Sequence, residues 1–457
     1  MGPTDLTCFK AYDIRGRLGA ELNAEIARRV AAAFAHTRKA ERVVLGRDSR
    51  ESSAALAGAV AEGLVSQGVQ VLDLGLSGTE EVYFATDHLG ADGGICVTAS
   101  HNPMDYNGMK LVKTGSAPLH PAELDSVRRA AEGGTAAPAH TSGGVLDASD
   151  TRTAYVDRVL SFVDPGAFRP LKILVNAGNG AAGPTFDAIY AKLIRQGAPL
   201  EVVRMHHTPD GSFPNGIPNP LLAENQPITS KAVVAHGADL GVAWDGDFDR
   251  CFLFDAMGEF IPGEYVVGLL AEAFLAQESG AGIVHDPRVI WNTQAIVARD
   301  GGRAIQSRTG HAFMKAVMRE SGAVYGGEMS AHHYFRDFMA CDSGMIPWLL
   351  VVDLMSRRDA ALADLVAARR AAFPSSGEIN YRVADTKAAI AAVETALAGT
   401  ALARDDTDGL SLEFDDWRFN LRASNTEPLL RLNVEAREDA ARVAAGVARV
   451  EALIDHL

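Results

Sequence analysis

The chain has 457 residues, about three times the ~150 allotted to a single domain, so three or four domains are expected. Hydrophobic residues make up 47% and charged residues 22%, a balance that excludes disordered, collagenous and fibrous chains. With 43 basic against 58 acidic residues the formal charge is −15, which excludes nucleic acid or an anionic membrane as the dominant partner and leaves only a local basic pocket.

Near the N-terminus Asp5, Lys10 and Asp13 interrupt any apolar run, and Asp353 interrupts the longest greasy stretch, Met345 to Met355; neither a signal peptide nor a membrane span is expected. Three segments then share one plan of apolar run, helical stretch, second apolar run, and a third run opening into a polar loop. The first runs from Val43-Val44-Leu45 through Val69 to Leu74 and opens from Gly94-Ile95-Cys96-Val97 into Thr98-Ala99-Ser100-His101-Asn102-Pro103. In the second, Ile173-Leu174-Val175 and Val202-Val203 precede Leu240-Gly241-Val242-Ala243, which opens into Asp245-Gly246-Asp247-Phe248-Asp249-Arg250. The third has Ile283-Val284-His285, Ala304-Ile305 and Ala323-Val324-Tyr325, opening into Gly326 to His333. Such alternation predicts α/β units with mixed sheets covered on both faces, whose ligands sit where loops leave the strand ends. Further on, Leu430, Leu432 and Val434 alternate with Arg431, Asn433 and Glu435 as in a half-buried strand, and Val443, Val447, Val450, Ile454 and Leu457 form a helical stripe. The expected architecture is therefore three related mixed-sheet α/β units, 1–148, 149–255 and 256–374, and a smaller C-terminal α+β domain, 375–457. The boundary candidates are Gly133 to Ala148 and Pro374 to Gly377, the second able to act as a hinge.

Ser100 stands on a tight polar turn directly after a strand, the position of a displayed nucleophile or of ordinary turn chemistry. His101 is a poor base for it, since adjacent side chains in an extended turn diverge, and no GxSxG elbow is present. Gly178-Asn179-Gly180-Ala181-Ala182-Gly183 fits GxGxxG, but the acid expected about 20 residues on is misplaced, leaving a tight strand-helix turn. Asp245, Asp247 and Asp249 alternate after an apolar strand, so their carboxylates can converge on a hard cation such as Mg²⁺, against the alternative of a solvated turn. Arg250 beside them suits an anionic phosphate. Arg422-Ala423-Ser424-Asn425-Thr426-Glu427-Pro428 has the donors of a phosphate clamp or of a polar hairpin loop. Lys110 and His311 are single titratable residues near these loops. The four cysteines, Cys8, Cys96, Cys251 and Cys341, show no CxxC spacing, which suits a reducing cytoplasm and suggests neither zinc site nor disulfide framework.

Phe9 to Gly16, the Ser100 loop, the Asp245 loop, the Glu328 loop and the Arg422 loop, in this order and spacing, resemble the α-D-phosphohexomutase superfamily, and within it the bacterial phosphomannomutases, over nearly the whole chain. The resemblance implies four domains around a central cleft and a cytoplasmic isomerase serving carbohydrate metabolism and nucleotide-sugar biosynthesis. The enzyme would interconvert mannose 6-phosphate and mannose 1-phosphate, with phosphoglucomutase or phosphoglucosamine mutase as alternatives within the family. It makes Ser100 the phosphoserine, with Mg²⁺ between it and Asp245, Asp247 and Asp249, and hexose 1,6-bisphosphate the intermediate and activator. Arg15, Lys110, His311 and His332 match positions near the reacting oxygen. Tyr12, Arg250, Arg288, Glu328, Ser330, Arg422, Ser424, Asn425, Thr426 and Arg431 would bind the hexose phosphate, Glu328 and Ser330 at sugar hydroxyls and the Arg422 loop at the non-reacting phosphate. Phe248, Ala331 and Arg288 depart from the residues usual in the family. Outside the family, a nucleotide-dependent oxidoreductase would use the Gly178 loop, and a non-catalytic phosphosugar sensor would need no phosphate on Ser100. The oligomeric state is left open between monomer and dimer.

Overall fold

The computed structural model describes residues 5–134, 143–423 and 429–454. Two compact units divide the chain: Met1–Phe260 with Asp337–Asp359, and Ile261–Arg336 with Ala360–Leu457.

The first unit holds two sheets. In the first, Gln70–Leu76, Arg42–Arg47 and Gly93–Val97 lie parallel in that order, and Tyr106–Lys113 turns back antiparallel to the last. In the second, Leu200–Met205, Leu171–Asn176 and Leu240–Trp244 repeat the parallel trio, and Cys251–Asp255 turns back. The second unit opens with the same arrangement: Arg303–Gln306, Gly282–His285 and Tyr325–Gly327 parallel, His333–Phe335 antiparallel. The repeat expected from the apolar runs is thus one topology used three times. In each copy the loop rich in functional groups is the turn between the last parallel strand and the returning one.

Central strands such as Gly93–Val97 and Leu240–Trp244 are buried along their whole length, because helices cover both faces of a parallel sheet, and this is why they read as continuous apolar runs. The C-terminal domain is an antiparallel sheet in the order Ser375–Arg382, Leu429–Ala436, Trp417–Ala423, Leu410–Glu413, Ala403–Asp405, backed by helices Thr386–Leu397 and Ala440–Ile454. Leu430, Leu432 and Val434 join its core with Val443 and Val450, as the alternation predicts. Asn433 and Glu435, expected on a solvated face, are fully buried: Asn433 Nδ2 lies 3.3 Å from Met329 Sδ and Glu435 accepts the amide of Ile290, so this half of the strand is covered on both sides.

Both stretches read as boundaries contain sheet. Gly144–Asp147 pairs parallel with Gln70–Leu76 as an edge strand. Pro374 to Gly377, expected to hinge, is tied down: Pro374 O accepts Ala436 N at 3.0 Å, Ser376 Oγ accepts Val434 N at 2.9 Å, and Ser375 Oγ lies 2.5 Å from Glu264 Oε1. The greasy stretch from Met345 is the helix Met345–Arg357, with Pro347 in its first turn where no N–H is needed. Among the described residues no helix is long and apolar enough to cross a membrane.

Candidate active site

Ser100 has φ +46°, a left-handed conformation that turns its side chain toward the Asp245 loop. Its Oγ donates to Asp245 Oδ2 at 2.5 Å and lies 3.0 Å from His101 Nδ1. The divergence expected of adjacent side chains therefore does not hold, because the turn is left-handed rather than extended. His101 is nonetheless engaged elsewhere: Arg250 Nη2 donates into Nδ1 at 2.5 Å, and Arg250 Nε donates to Asp245 Oδ2 at 2.9 Å.

Asp245, Asp247 and Asp249 are buried, and one oxygen of each falls within 4.8 Å of the others. Lys110 Nζ donates to Asp247 Oδ2 at 2.8 Å and to Asp249 Oδ2, while Thr79 Oγ1 reaches Asp247 Oδ2 at 2.6 Å. Burial would raise Asp247, but the Lys110 ammonium outweighs it and holds the carboxyl below the usual range. Burial would lower Lys110, and the two aspartates hold it well above its ordinary value instead. Asp245 moves the other way: burial raises it against the opposing Arg250, with Asp249 and Asp247 adding to the rise. Asp247 Oδ1 is buried with no hydrogen-bond partner. An all-oxygen donor set with an orphaned carboxylate oxygen fits a hard divalent cation and not a solvated turn.

Arg15, on the strand Ile14–Arg17, donates to Thr98 O at the base of the Ser100 loop and sits 3.6 Å from Asp13. Tyr12 is half-buried just ahead of that strand. The sequence reading missed Arg50, whose guanidinium grips the carbonyls of Ser100 at 2.9 Å, Asn102 at 2.5 Å and Pro103 at 3.0 Å. It is braced by Asp48, which accepts Arg50 N at 3.0 Å. The same Asp-x-Arg turn succeeds the first strand of the third repeat, where Asp286 accepts Arg288 N at 3.0 Å. That pairing was a signal available in the sequence. Thr79 gave none, lying 168 positions from its partner.

In the second unit Arg288 forks onto Asp286 Oδ2 at 3.1 and 2.5 Å, reaches Ser330 Oγ at 3.2 Å, and stands 3.6 Å from both Glu328 and Glu378. Five donors in a plane serve this many acceptors where a lysine would not. Glu328 accepts Gly310 N at 2.9 Å and the Tyr334 hydroxyl at 2.6 Å. His311 begins the helix His311–Ser321, and His332 stacks on Tyr334 with centroids 6.1 Å apart. Arg422 is 2.8 Å and Arg431 3.4 Å from Glu378, so three guanidiniums surround one carboxylate that sequence reasoning did not single out. Burial would raise Glu378, but Arg288, Arg422 and Arg431 outweigh it and hold it below the usual range. Such a cluster is an anion-binding arrangement. Ser424, Asn425 and Thr426 lie outside the described residues.

The departures at Phe248 and Ala331 have structural accounts. Phe248, at φ +47°, is buried with its ring in the space that a Cβ on Gly78 would occupy, so it fills core under the loop. Ala331 sits at φ +71°, the conformation that makes glycine common there. The Gly178 loop is a tight turn: a Cβ on Gly180 would lie 2.8 Å from Gly246 O, and Ala181 N donates to that same carbonyl at 3.0 Å. The glycine is needed for the approach of the Asp245 loop.

The chain matches the family descriptions for phosphoglucomutase/phosphomannomutase alpha/beta/alpha domain I over residues 7–137, domain II over 153–258, domain III over 262–373 and the C-terminal domain over 378–453. It is 60% identical to a phosphomannomutase of Salmonella typhimurium over 438 residues, 95% of this chain and 96% of that one. To the phosphohexose mutases of Xanthomonas campestris it is 55% identical over 437 residues, again 95% and 96%. A solved phosphoglucomutase/phosphomannomutase family protein from Burkholderia thailandensis superposes with a TM-score of 0.83 at 32% identity, covering 97% of this chain and 96% of that one.

Proposed function

This chain belongs to the phosphoglucomutase/phosphomannomutase family, and we propose that Ser100 is the nucleophile through which it moves a phosphoryl group. It is an intramolecular phosphotransferase, a phosphohexose mutase interconverting mannose 6-phosphate and mannose 1-phosphate. The observation that carries the Ser100 assignment is its hydroxyl 2.5 Å from Asp245 Oδ2, at the edge of a buried carboxylate triad with an unsatisfied oxygen. Asp245, Asp247 and Asp249 would hold Mg²⁺, which when bound supplies positive charge against phosphoryl oxygens.

Phosphoryl transfer asks for in-line positioning and for charge around the moving oxygens. Arg50 fixes the loop backbone, and Arg15, Lys110 and Arg250 supply cations close to Ser100. In the forward half-reaction the Ser100 Oγ–P bond breaks as a free hydroxyl of the hexose monophosphate takes the phosphoryl group, giving hexose 1,6-bisphosphate and a serine hydroxyl that donates to Asp245. In the return, the other phosphate goes back to Ser100. Lys110 is held firmly as an ammonium by its aspartates, so it assists as a fixed positive charge. Glu328 and Ser330 would take sugar hydroxyls; Arg288, Arg422 and Arg431, with Tyr12, Ser424, Asn425 and Thr426, would hold the substrate and its non-reacting phosphate, and His311 and His332 stand for the proton step.

Ser100→Ala tests the assignment: turnover of mannose 6-phosphate falls by at least a thousandfold, about 4 kcal/mol of barrier, while the far-UV spectrum is unchanged. Full activity in this variant overturns it. Running glucose 6-phosphate beside mannose 6-phosphate sets the sugar preference.

A further inference from the structure

The C-terminal sheet carries a buried ion pair that no substrate contact explains. Arg418 and Glu435 lie on adjacent strands, fully buried, with Arg418 Nη1 2.7 Å from Glu435 Oε1. Both reach out of their own domain to one short segment of the third repeat. Glu435 accepts the amides of Ile290 at 2.8 Å and Trp291 at 3.0 Å, at the N-terminus of the helix Trp291–Arg299. Arg418 donates to the carbonyls of Arg288 and Pro287, each at 3.0 Å. Arg437 adds its guanidinium 4.0 Å over the Trp291 ring. The backbone from Pro287 to Trp291 is therefore held through two carbonyls and two amides by one pair of charges.

We propose that Arg418 and Glu435 are positioning residues for Arg288, setting its backbone so that its guanidinium meets the substrate. A buried ion pair is a poor device for stability alone, since well-packed apolar residues often replace one at no loss. It is a good device for direction, because four hydrogen bonds of fixed geometry leave the segment one conformation. Arg288 starts from that segment and must serve Asp286, Ser330, Glu328 and Glu378 at once. A displacement near 1 Å at such a group costs about a hundredfold in rate. Burial of Glu435, unexpected for a residue alternating with Leu430, Leu432 and Val434, is the structural trace of this role. The proposal rests on the reading that Arg288 contacts the hexose phosphate.

A double-mutant cycle separates the two. Arg418→Met/Glu435→Gln, which neutralises the pair together, is made alone and in an Arg288→Met background, and KM and kcat for mannose 6-phosphate are measured with the unfolding midpoint. The double variant raises KM about tenfold or more while remaining folded, and the same change adds less than twofold in the Arg288→Met background. Equal losses in both backgrounds, or wild-type KM in the double variant, overturn the positioning role. A wild-type KM for Arg288→Met itself overturns the substrate reading of Arg288 and the proposal with it. If the neutral pair does not fold, Arg418→Lys, which keeps the charge but cannot fork two carbonyls, carries the same cycle with the same criteria.

Discussion

Asp247 shows how one side chain answers to two demands. It holds an oxygen free for a cation while its other oxygen takes Lys110 and Thr79. Like charges without their metal repel, and on that ground alone removing one would relieve the site. Lys110 reverses the sign, because an amide at position 247 leaves a buried ammonium with Asp249 as its remaining carboxylate partner among these contacts. Asp247→Asn is therefore expected to abolish turnover and to cost about 1–3 kcal/mol of stability, read by urea denaturation. A buried histidine supplies a separate pH dependence. Burial, helped by the charge of His332, pushes His333 down to about 3, and its Nδ1 lies 2.7 Å from the Tyr325 hydroxyl. The unfolded chain takes up this proton below about 6.5 and the folded one does not until near 3, so the contribution is full above pH 6.5 and shrinks as pH falls. Between pH 7 and pH 5 it amounts to about 2 kcal/mol lost. His333→Gln should flatten the denaturation curves over that window by about this amount; an unchanged pH slope refutes the assignment. Ser100 and the aspartates were legible because their chemistry is concentrated within a few positions. Thr79 and Glu378 were not, because each acts on a segment far away in sequence, and Arg50 was missed although its Asp-x-Arg turn recurs at Asp286.

At the scale of elements the same turn is used three times, and its form explains which parts of the pattern could be read. A parallel trio with a returning strand leaves apolar runs and polar loops at regular intervals, so the repeat was visible. The turn after the first strand was harder to see: Asp48-x-Arg50 and Asp286-x-Arg288 are local turns, and their arginines point at opposite tasks, one gripping carbonyls and one a set of acids. The linker at Pro374 misled because Pro, Ser and Gly also suit a bulged edge, and a bulge lies between Ser375 and Glu378. Gly180 belongs to this scale, since it lets one loop lie against the backbone of another. A methyl there would meet Gly246 O at 2.8 Å and Gly246 Cα at 3.1 Å, backbone that can yield only by moving the Asp245 loop. Gly180→Ala should cost about 1–3 kcal/mol of stability and lower kcat/KM at least tenfold. A variant losing stability with kcat/KM intact would show that the aspartates keep their places when Gly246 shifts.

At the scale of the whole molecule the first compact unit is not continuous in sequence, since it takes back Asp337–Asp359 after the chain has left it at Phe260. No local pattern announces this, because the helix Met345–Arg357 has the apolar face of any core helix and its partners lie far back in the sequence. Those partners are specific. Trp348 packs on Phe186 with centroids 5.5 Å apart, and Phe186 in turn lies 5.7 Å from Trp244. Trp244 Nε1 donates to Gly344 O at 2.8 Å, and Glu80, whose pKa burial raises well above the ordinary value, accepts Tyr155 at 2.8 Å and Met345 N at 3.2 Å. The segment also backs the aspartate loop, for a Cβ on Gly344 would run into Phe248 O. Returning chain therefore supports the loop that carries the carboxylates, and its loosening should be felt in both stability and turnover. Trp348 is the residue to remove, because its Nε1 has no hydrogen-bond partner and the loss is one of packing alone. Trp348→Ala is expected to cost about 3–5 kcal/mol by denaturant titration, and to lower kcat under conditions where the variant is still fully folded. A conservative Trp348→Phe should recover most of both, since it restores the ring against Phe186. If Trp348→Ala instead cost less than about 1 kcal/mol, the size of a surface substitution, the segment would be a passenger on the first unit, and the aspartate loop would be held without it, by the Gly180 approach and the contacts from Thr79, Lys110 and Ser100.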